Sequence, residues 1–354
     1  MTDTPPTLTP DEVQSFADVA ARLASNVASV VLGKPEVVRL ALTGLFAEGH
    51  LLLEDVPGVG KTTLARAIAA SVRGQWRRIQ FTPDLLPSDV AGVTIFNQAN
   101  RQFEFHGGPV FANIVVADEI NRASPKTQSA LLEVMEERQV TVDGHRHGVP
   151  RPFLVVATQN PVEMDGTYRL PEAQLDRFLM RLSVGYPDLD AEVRVVMNDS
   201  QGLRPDRLSQ VIDLPTLNSV IDAVRTTKVQ PQIATYAATL AAETRKHSAT
   251  RYGASPRGSI GLIRAARALA ATESRLFVTP DDVKTVAQAV LAHRIVLTPD
   301  AELNRITSAQ VVREVLDGVP APGLGSGTLP PMPGPRTGPA PGPYNDAATR
   351  ISHP

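Results

Sequence analysis

The stretch LLLEDVPGVGKTT, Leu51 to Thr63, constrains what this chain can fold into more than any other segment. A short apolar run reads as a buried strand. A loop containing Pro and Gly follows, and Lys-Thr-Thr then opens a helical pattern, TTLARAIAASV. Gly58 and Gly60 let backbone N–H groups approach a ligand closely. Lys61 supplies a charge for β- and γ-phosphates and Thr62 a hydroxyl for Mg²⁺, and the helix that follows adds its positive N-terminus. Pro57, Gly58, Val59, Gly60, Lys61, Thr62 and Thr63 therefore form a candidate phosphate cradle. The common G-x-x-x-x-G-K-[ST] spacing is broken at one place, where Asp55 stands for the first glycine. The competing reading is a glycine-containing loop with a solvated lysine.

The surrounding pattern alternates strand and helix. WRRIQFT (Trp76 to Thr82), NIVVADE (Asn113 to Glu119) and FLVVATQN (Phe153 to Asn160) read as strands. SPKTQSALLEVMEER reads as a helix, with Ser124 as N-cap and Pro125 in its first turn. Apolar strands separated by helices imply an α/β fold, a parallel sheet flanked by helices. Two segments break the rhythm as β-hairpin inserts: 94–108, and 139–149 with Asp143-Gly144 as its turn. Two helices around VVLGKPEVV are expected ahead of the first strand. After residue 190 only helical periodicity remains, near 216–227, 232–247, 256–276 and 280–297, which predicts an all-α C-terminal domain. The expected organisation is a disordered 1–11, an α/β core over 12–190, a linker and helical domain over 191–317, and a Pro/Gly-rich disordered tail over 318–354.

Composition excludes several chemistries. The chain has no cysteine, which removes disulfides, thiolate metal sites and cysteine nucleophiles. A net charge of -2 gives no general attraction to nucleic acid or acidic membranes. No apolar run is long enough to span a bilayer and no secretory signal is visible, so membrane insertion is not expected and a cytoplasmic location is.

A second motif turns the phosphate loop into a hydrolytic hypothesis. NIVVADE ends an apolar strand in two acids: Asp118, placed to hold Mg²⁺ through water, and Glu119, placed to polarise an attacking water. Solvated acids at a strand end are the bland alternative. Two such signals in the right order in a βα array weigh against it. VVATQNP then sets Asn160 at another strand end, where an amide could orient water and touch a γ-phosphate. A turn former before Pro161 is the plainer reading of that residue.

These motifs in series resemble an AAA+ ATPase. DEINRASPKTQSALLEVMEERQVTVDG, ATQNP and LPEAQLDRF resemble the MoxR family specifically, over roughly Val30 to Leu297. The resemblance implies a P-loop NTPase core with hairpin inserts and a C-terminal helical lid, binding ATP and Mg²⁺. It implies that Arg177 of LDRF is an arginine finger reaching the neighbouring subunit's γ-phosphate, and that Arg257 is a lid sensor facing the γ-phosphate. It implies that backbone around Val31 and Gly33 wraps adenine. Without it, Arg177 reads as an ion pair with Asp176 or Glu172, and Arg257 as an exposed first-turn arginine. Arg181 is the rival finger in a strand-like context. Arg169, where the family often has proline, and Asp55 depart from the family pattern. Ile95, Phe96, Phe103 and Phe105 read mostly as hairpin core.

The resemblance further implies a homo-oligomer, hexameric in the family, with a chaperone-like role on protein clients and partners carrying von Willebrand factor A domains. A nucleotide-dependent switch with slow hydrolysis is the alternative. A DNA-directed AAA+ protein ranks lower, because GQWRR and GHRHG are the nearest candidates for a basic, aromatic-interleaved surface and both are short.

Overall fold

The computed structural model describes residues 10–161, 167–200 and 204–323. Of the disorder expected over 1–11 and 318–354, residues 1–9 and 324–354 lie outside the described residues, but Pro10 and Asp11 open the first helix and Gly318 closes the last one, because helical hydrogen bonding extends past the Pro- and Gly-rich composition at each end. Helices α1 (Pro10–Ala28) and α2 (Pro35–Phe46) lead into strand β1 (Leu51–Glu54) and helix α3 (Lys61–Ser71). Next come β2 (Val72–Arg73), β3 (Trp76–Gln80), the short α4 (Pro87–Ala91) and a hairpin of β4 (Gly92–Asn97) and β5 (Gln102–Gly107). Strand β6 (Ile114–Asp118) and helix α5 (Pro125–Glu137) follow, then a second hairpin, β7 (Gln139–Val142) with β8 (His145–Gly148). Strand β9 (Leu154–Gln159), α6 (Glu172–Leu175), β10 (Met180–Leu182) and α7 (Leu189–Ser200) complete the α/β part. The rest comprises β11 (Ile212–Asp213), α8 (Leu214–Thr226), α9 (Pro231–Lys246), β12 (Thr250–Tyr252), α10 (Pro256–Thr272), α11 (Pro280–Leu291), β13 (Val296–Leu297), α12 (Pro299–Leu303) and α13 (Ser308–Gly318).

The central sheet has five strands in the order β10-β1-β9-β6-β3, all parallel. The two-residue period of a strand sends alternate side chains to opposite faces. Leu51, Leu53, Val116 and Val156 join one apolar cluster with α1 to α3 and the C-terminal helices. Leu52, Val115, Ala117 and Val155 join another with Leu131, Leu132 and Phe178. Both faces are therefore dry, and each buried leucine contributes roughly 1.5–3 kcal/mol. Local chemistry fixes the helix starts. Ser124 accepts the Thr127 N–H at the head of α5, and Pro256, Pro280 and Pro299 begin α10, α11 and α12 behind the capping hydroxyls of Ser255, Thr279 and Thr298.

Two expectations need correction. The C-terminal part is not purely helical, because β12 and β13 pair antiparallel. Strands of two or three residues are too short to show alternation in sequence. The hairpin aromatics do not form a core: Ile95, Phe96 and Phe103 are exposed. Phe96 and Phe103 pack on each other, with centroids 5.2 Å apart, whereas Phe105 stacks on His147 of the second hairpin at 3.9 Å. Asp143 and Gly144 both take positive φ in the turn between β7 and β8, as a two-residue hairpin of this kind requires. Among the described residues, no helix is long and apolar enough to cross a membrane.

The helical part is tied to the sheet at the N-terminal ends of the strands. Glu48, buried just before β1, receives Arg225 of α8 at 2.5 Å, Arg138 at 3.4 Å and Arg151 at 3.5 Å. Arg264 of α10 donates to the backbone oxygens of Ala47 and Glu48. Beside this cluster lies His50, also buried. Its Nδ1 accepts the Val155 N–H at 3.0 Å and its Nε2 faces the Met135 oxygen at 3.1 Å, a pair of partners that suits only the neutral ring. Burial, then the charge of Arg138, pushes its pKa down to about 3. His293 is lowered as well, first by burial and then by Arg294.

Below about pH 6.5 the unfolded chain takes up protons that these native rings refuse, so stability is complete above that pH and falls towards pH 3. Each such histidine contributes a slope of about 1.4 kcal/mol per pH unit in the window. Urea midpoints measured between about pH 7 and pH 4.5 should fall steeply, and His50→Gln should flatten the curve. An unchanged slope in the variant would show that His50 is not held neutral.

Candidate active site

Parallel strands end on one edge, and the phosphate loop leaves β1 there, as Asp118 and Glu119 leave β6 and Asn160 leaves β9. Gly58 and Gly60 have φ of 84° and 93°, and a Cβ on either would meet nothing within 4 Å. Their requirement is conformational and not one of space. Asp55, the residue in the missing glycine's place, ties the loop to the chain after β10. Its Oδ2 accepts from Ser183 Oγ at 2.6 Å and the Gly185 N–H at 2.7 Å, and its Oδ1 accepts from the Val56 N–H. Burial opposes ionisation of Asp55, but these hydrogen bonds and nearby Lys61 together hold its pKa below the ordinary value. The Lys61 ammonium folds back on the carbonyls of Asp55 and Val56. Burial lowers its pKa, against the pull of Asp55 and Glu119.

Thr62 Oγ1 donates to Asp118 Oδ1 at 2.9 Å. A hydroxyl and a carboxylate converging in this way fit Mg²⁺, which takes one or two protein oxygens and fills its shell with water and substrate phosphate. Three residues that sequence reasoning passed over complete this arrangement. Thr158 of β9 donates to Asp118 Oδ1 at 3.1 Å and accepts the Glu119 N–H at 2.9 Å, so one buried hydroxyl orients both acids. Arg78 of β3 donates from Nε to Asp118 Oδ2 at 2.6 Å. The Asp118 side chain is 2% exposed and that of Arg78 is 47% exposed. Gln80 accepts from Arg78 and donates to Glu119. The polar side chains in WRRIQ were the signal, since Arg78 and Gln80 are two residues apart and share a face. Glu119 itself has φ 55° and ψ 50°, a left-handed backbone costing on the order of 1 kcal/mol for a non-glycine residue. Its carboxylate accepts from Arg122 at 2.9 Å. Asn160 lies at the expected strand end, its backbone oxygen accepting from Asn121. Arg181, the rival finger, sits within β10 and pairs with Glu54 at 3.2 Å.

Val31 is buried in the turn between α1 and α2. Gly33 has φ 71°, and a Cβ there would come within 2.7 Å of the Ala191 methyl carbon. Lys34 donates to the Tyr186 oxygen at 2.7 Å. This turn therefore abuts the segment 185–191, which also anchors Asp55, and that segment links it to the phosphate loop.

Arg177 and Arg257 lie elsewhere. Both pair with Glu136 in the last turn of α5, Arg177 at 3.0 Å. With Glu48, His50 and Arg264 they line a cleft of about 260 Å³ before the starts of β1 and β10. That is the opposite edge of the sheet from Lys61, separated by the length of β1, roughly 13 Å for four residues. Arg257, expected to face a γ-phosphate, therefore lies far from the Lys61 of its own chain. Helix α10 packs on α11, α9, α1 and α2, and its Arg257, Ile260 and Arg264 line this cleft. The anticipated partners of Arg177, Asp176 and Glu172, are also replaced: Asp176 is taken by Arg294 at 2.7 Å.

Residues 50–180 match the family described as ATPase family associated with various cellular activities (AAA), and residues 242–315 match the AAA lid domain. The chain is 42% identical to the protein named Chaperone MoxR1 of Mycobacterium tuberculosis, over 84% of this chain and 81% of that one. It is 33% identical to Protein MoxR of Methylorubrum extorquens, over 87% and 96%. It is 48% identical to the uncharacterised YeaC of Bacillus subtilis, over 84% and 93%. A solved candidate ATPase from Cytophaga hutchinsonii superposes with a TM-score of 0.82 at 37% identity, covering 88% of this chain and 98% of that one.

The Arg78–Asp118 pair predicts a measurable linkage. In Arg78→Ala the buried carboxylate loses its counter-charge, at a cost of about 1–2 kcal/mol because one side of the pair is half exposed. The nucleotide-free variant should melt several degrees below wild type, and Mg–ADP should raise its Tm by more than it raises that of wild type. Equal shifts in both proteins would mean that Arg78 keeps its pairing in the loaded state.

Proposed function

The chain belongs to the MoxR family of AAA+ ATPases, and from that premise we propose that it is a Mg²⁺-dependent ATPase whose site is completed by a second copy of itself. One observation carries the proposal. Lys61, Thr62, Asp118 and Glu119 converge at one edge of the sheet, while Arg177 and Arg257 share Glu136 at the other. A head-to-tail arrangement of copies brings the two edges together.

In this reading Lys61 exchanges the loop carbonyls for the β- and γ-phosphates, and the loop N–H groups from Gly58 to Thr63 hold the remaining phosphate oxygens. Thr62 and Asp118 would hold Mg²⁺, which would neutralise phosphate charge. Glu119 accepts the proton of the attacking water, and Asn160 orients that water. Arg177 of the next copy leaves Glu136 and meets the charge that spreads over the γ-phosphoryl oxygens. Arg257 accompanies it, acting in trans. The turn at Val31 and Gly33 is the proposed adenine contact. The domain reading, an α/β core over 12–190 and a helical lid over 191–317, stands with this proposal.

A chaperone-like role on protein clients is supported by the name of the Mycobacterium tuberculosis relative. Partners carrying von Willebrand factor A domains and a hexameric assembly, both implied by the family resemblance, belong to the same proposal. The nucleotide-switch alternative predicts about one turnover per site without a partner. The DNA-directed reading weakens further, because Arg78 of GQWRR is engaged by Asp118 and His147 of GHRHG by Phe105.

ATP turnover per protomer should rise with protein concentration. Lys61→Ala should lose nucleotide binding, and Glu119→Gln should bind without turnover. Arg177→Ala should bind normally and turn over about 10³-fold more slowly. Mixing the last two should recover part of the rate, since the Arg177→Ala chain keeps Glu119 and can receive the other chain's finger. Turnover independent of concentration in monomeric protein, or no recovery in mixed assemblies, would rule out a shared site.

A further inference from the structure

Helix α7 is amphipathic, but its larger apolar stripe points away from the protein. Ala191 is fully buried and is the side chain that a Cβ at Gly33 would strike. At 3.6 residues per turn, the opposite side of the helix carries Leu189, Val193 and Val196, at i, i+4 and i+7. These are 76%, 54% and 65% exposed, and Tyr186 just ahead of the helix is 74% exposed. Exposed Asp190 and Glu192 flank the stripe on its two sides. A single exposed valine would be ordinary. The helix is seated through Ala191 in its first turn, and with Val195 and Met197 45% and 55% exposed as well, an apolar surface this continuous marks one that another body covers.

Resting on the shared-site reading above, we propose that this stripe is the acceptor surface for a second copy of the chain, and specifically for the face that carries Arg177 and Arg257. Two features select that occupant. The first is continuity: α7 grows out of segment 185–191, which anchors Asp55 of the phosphate loop and touches Gly33, so whatever completes the phosphate site also reaches α7. The second is complementarity. The finger face gathers Arg177, Arg257 and Arg264 around Glu136, α7 exposes two acids, Asp190 and Glu192, against one base, Arg194, and the finger face carries its own exposed apolar residue, Ile260, one turn beyond Arg257 on α10. Covering the stripe would couple docking of the neighbour to the position of the Asp55 anchor, and through it to the loop that holds Lys61.

The absence of cysteine gives a direct test. Val196→Cys places one thiol on the stripe of the full chain, and its rate of alkylation by a maleimide is followed across protein concentration with Mg–ATP, in a Glu119→Gln background that does not consume it. Protection by about tenfold or more that appears only as the protein assembles is the expected result. Protection that is independent of concentration would assign the stripe to a segment of the same chain, and full reactivity in the assembled protein would show it uncovered; either overturns the proposal. As a second readout, Val193→Asp with Val196→Asp should bind nucleotide like wild type yet assemble at least tenfold more weakly. Because it keeps its finger face, it should still restore turnover to Arg177→Ala in a mixture. If wild type neither assembles nor turns over ATP, the shared-site reading itself falls. If wild type assembles and the double variant assembles equally well, only the acceptor assignment falls.

Discussion

Burial of the five parallel strands on both faces is the constraint on which the rest of this structure depends. With α1 to α3 and the C-terminal helices on one side, and α5 with its neighbours on the other, neither face of the sheet can hold a polar ligand. Chemistry is confined to the edges, where strands become loops. Parallel strands make those edges unlike each other. One collects the segments that leave the strands: the phosphate loop, the acids and Asn160. The other collects the segments that enter them, with Glu48, His50 and Arg177.

The second edge is organised by charge. Glu48 gathers arginines from the α/β part and from α8, and Glu136 gathers Arg177 and Arg257. Glu48 is buried and needs its arginines, whereas Glu136 and its two arginines are partly exposed, so their pairing adds little stability and acts mainly on geometry. These pairs fix the helical part relative to the sheet and set two arginines side by side. A neutral His50 fits among these cations where a protonated ring would not.

At the first edge, the acids are already oriented without substrate. Thr158 holds the Asp118 carboxylate and the Glu119 backbone, Gln80 and Arg122 hold the Glu119 carboxylate, and Arg78 sits on Asp118 where a cation would be needed. Lys61 is likewise occupied with loop carbonyls. In the proposed reading, binding of a metal nucleotide is an exchange of partners.

Much of this was legible in the sequence, because it rests on local signals. Apolar period, the Gly58-Val59-Gly60-Lys61-Thr62 loop, Ser124-Pro125 at a helix start and Asp143-Gly144 at a hairpin turn each encode their own backbone, and the structure places them in the elements expected. The family, too, could be read from linear strings around Asp118, Asn160 and Arg177, and the relatives bear it out. Pairings between residues distant in the chain could not be read. Asp55 meeting Ser183, Arg78 meeting Asp118 and Glu48 meeting Arg225 depend on strand order and helix placement, which no local pattern carries. The same reason explains why the edge carrying Arg257 could not be read from the sequence. A first-turn arginine on a lid helix looks the same in sequence whichever edge of the sheet that helix packs against, and only the packing of α10 on α1, α2 and α9 decided the matter. The sequence by itself determined the strands, the loop and which polar residues stand at their ends. The tertiary structure decided which residues share an edge, because that depends on contacts between segments far apart in the chain.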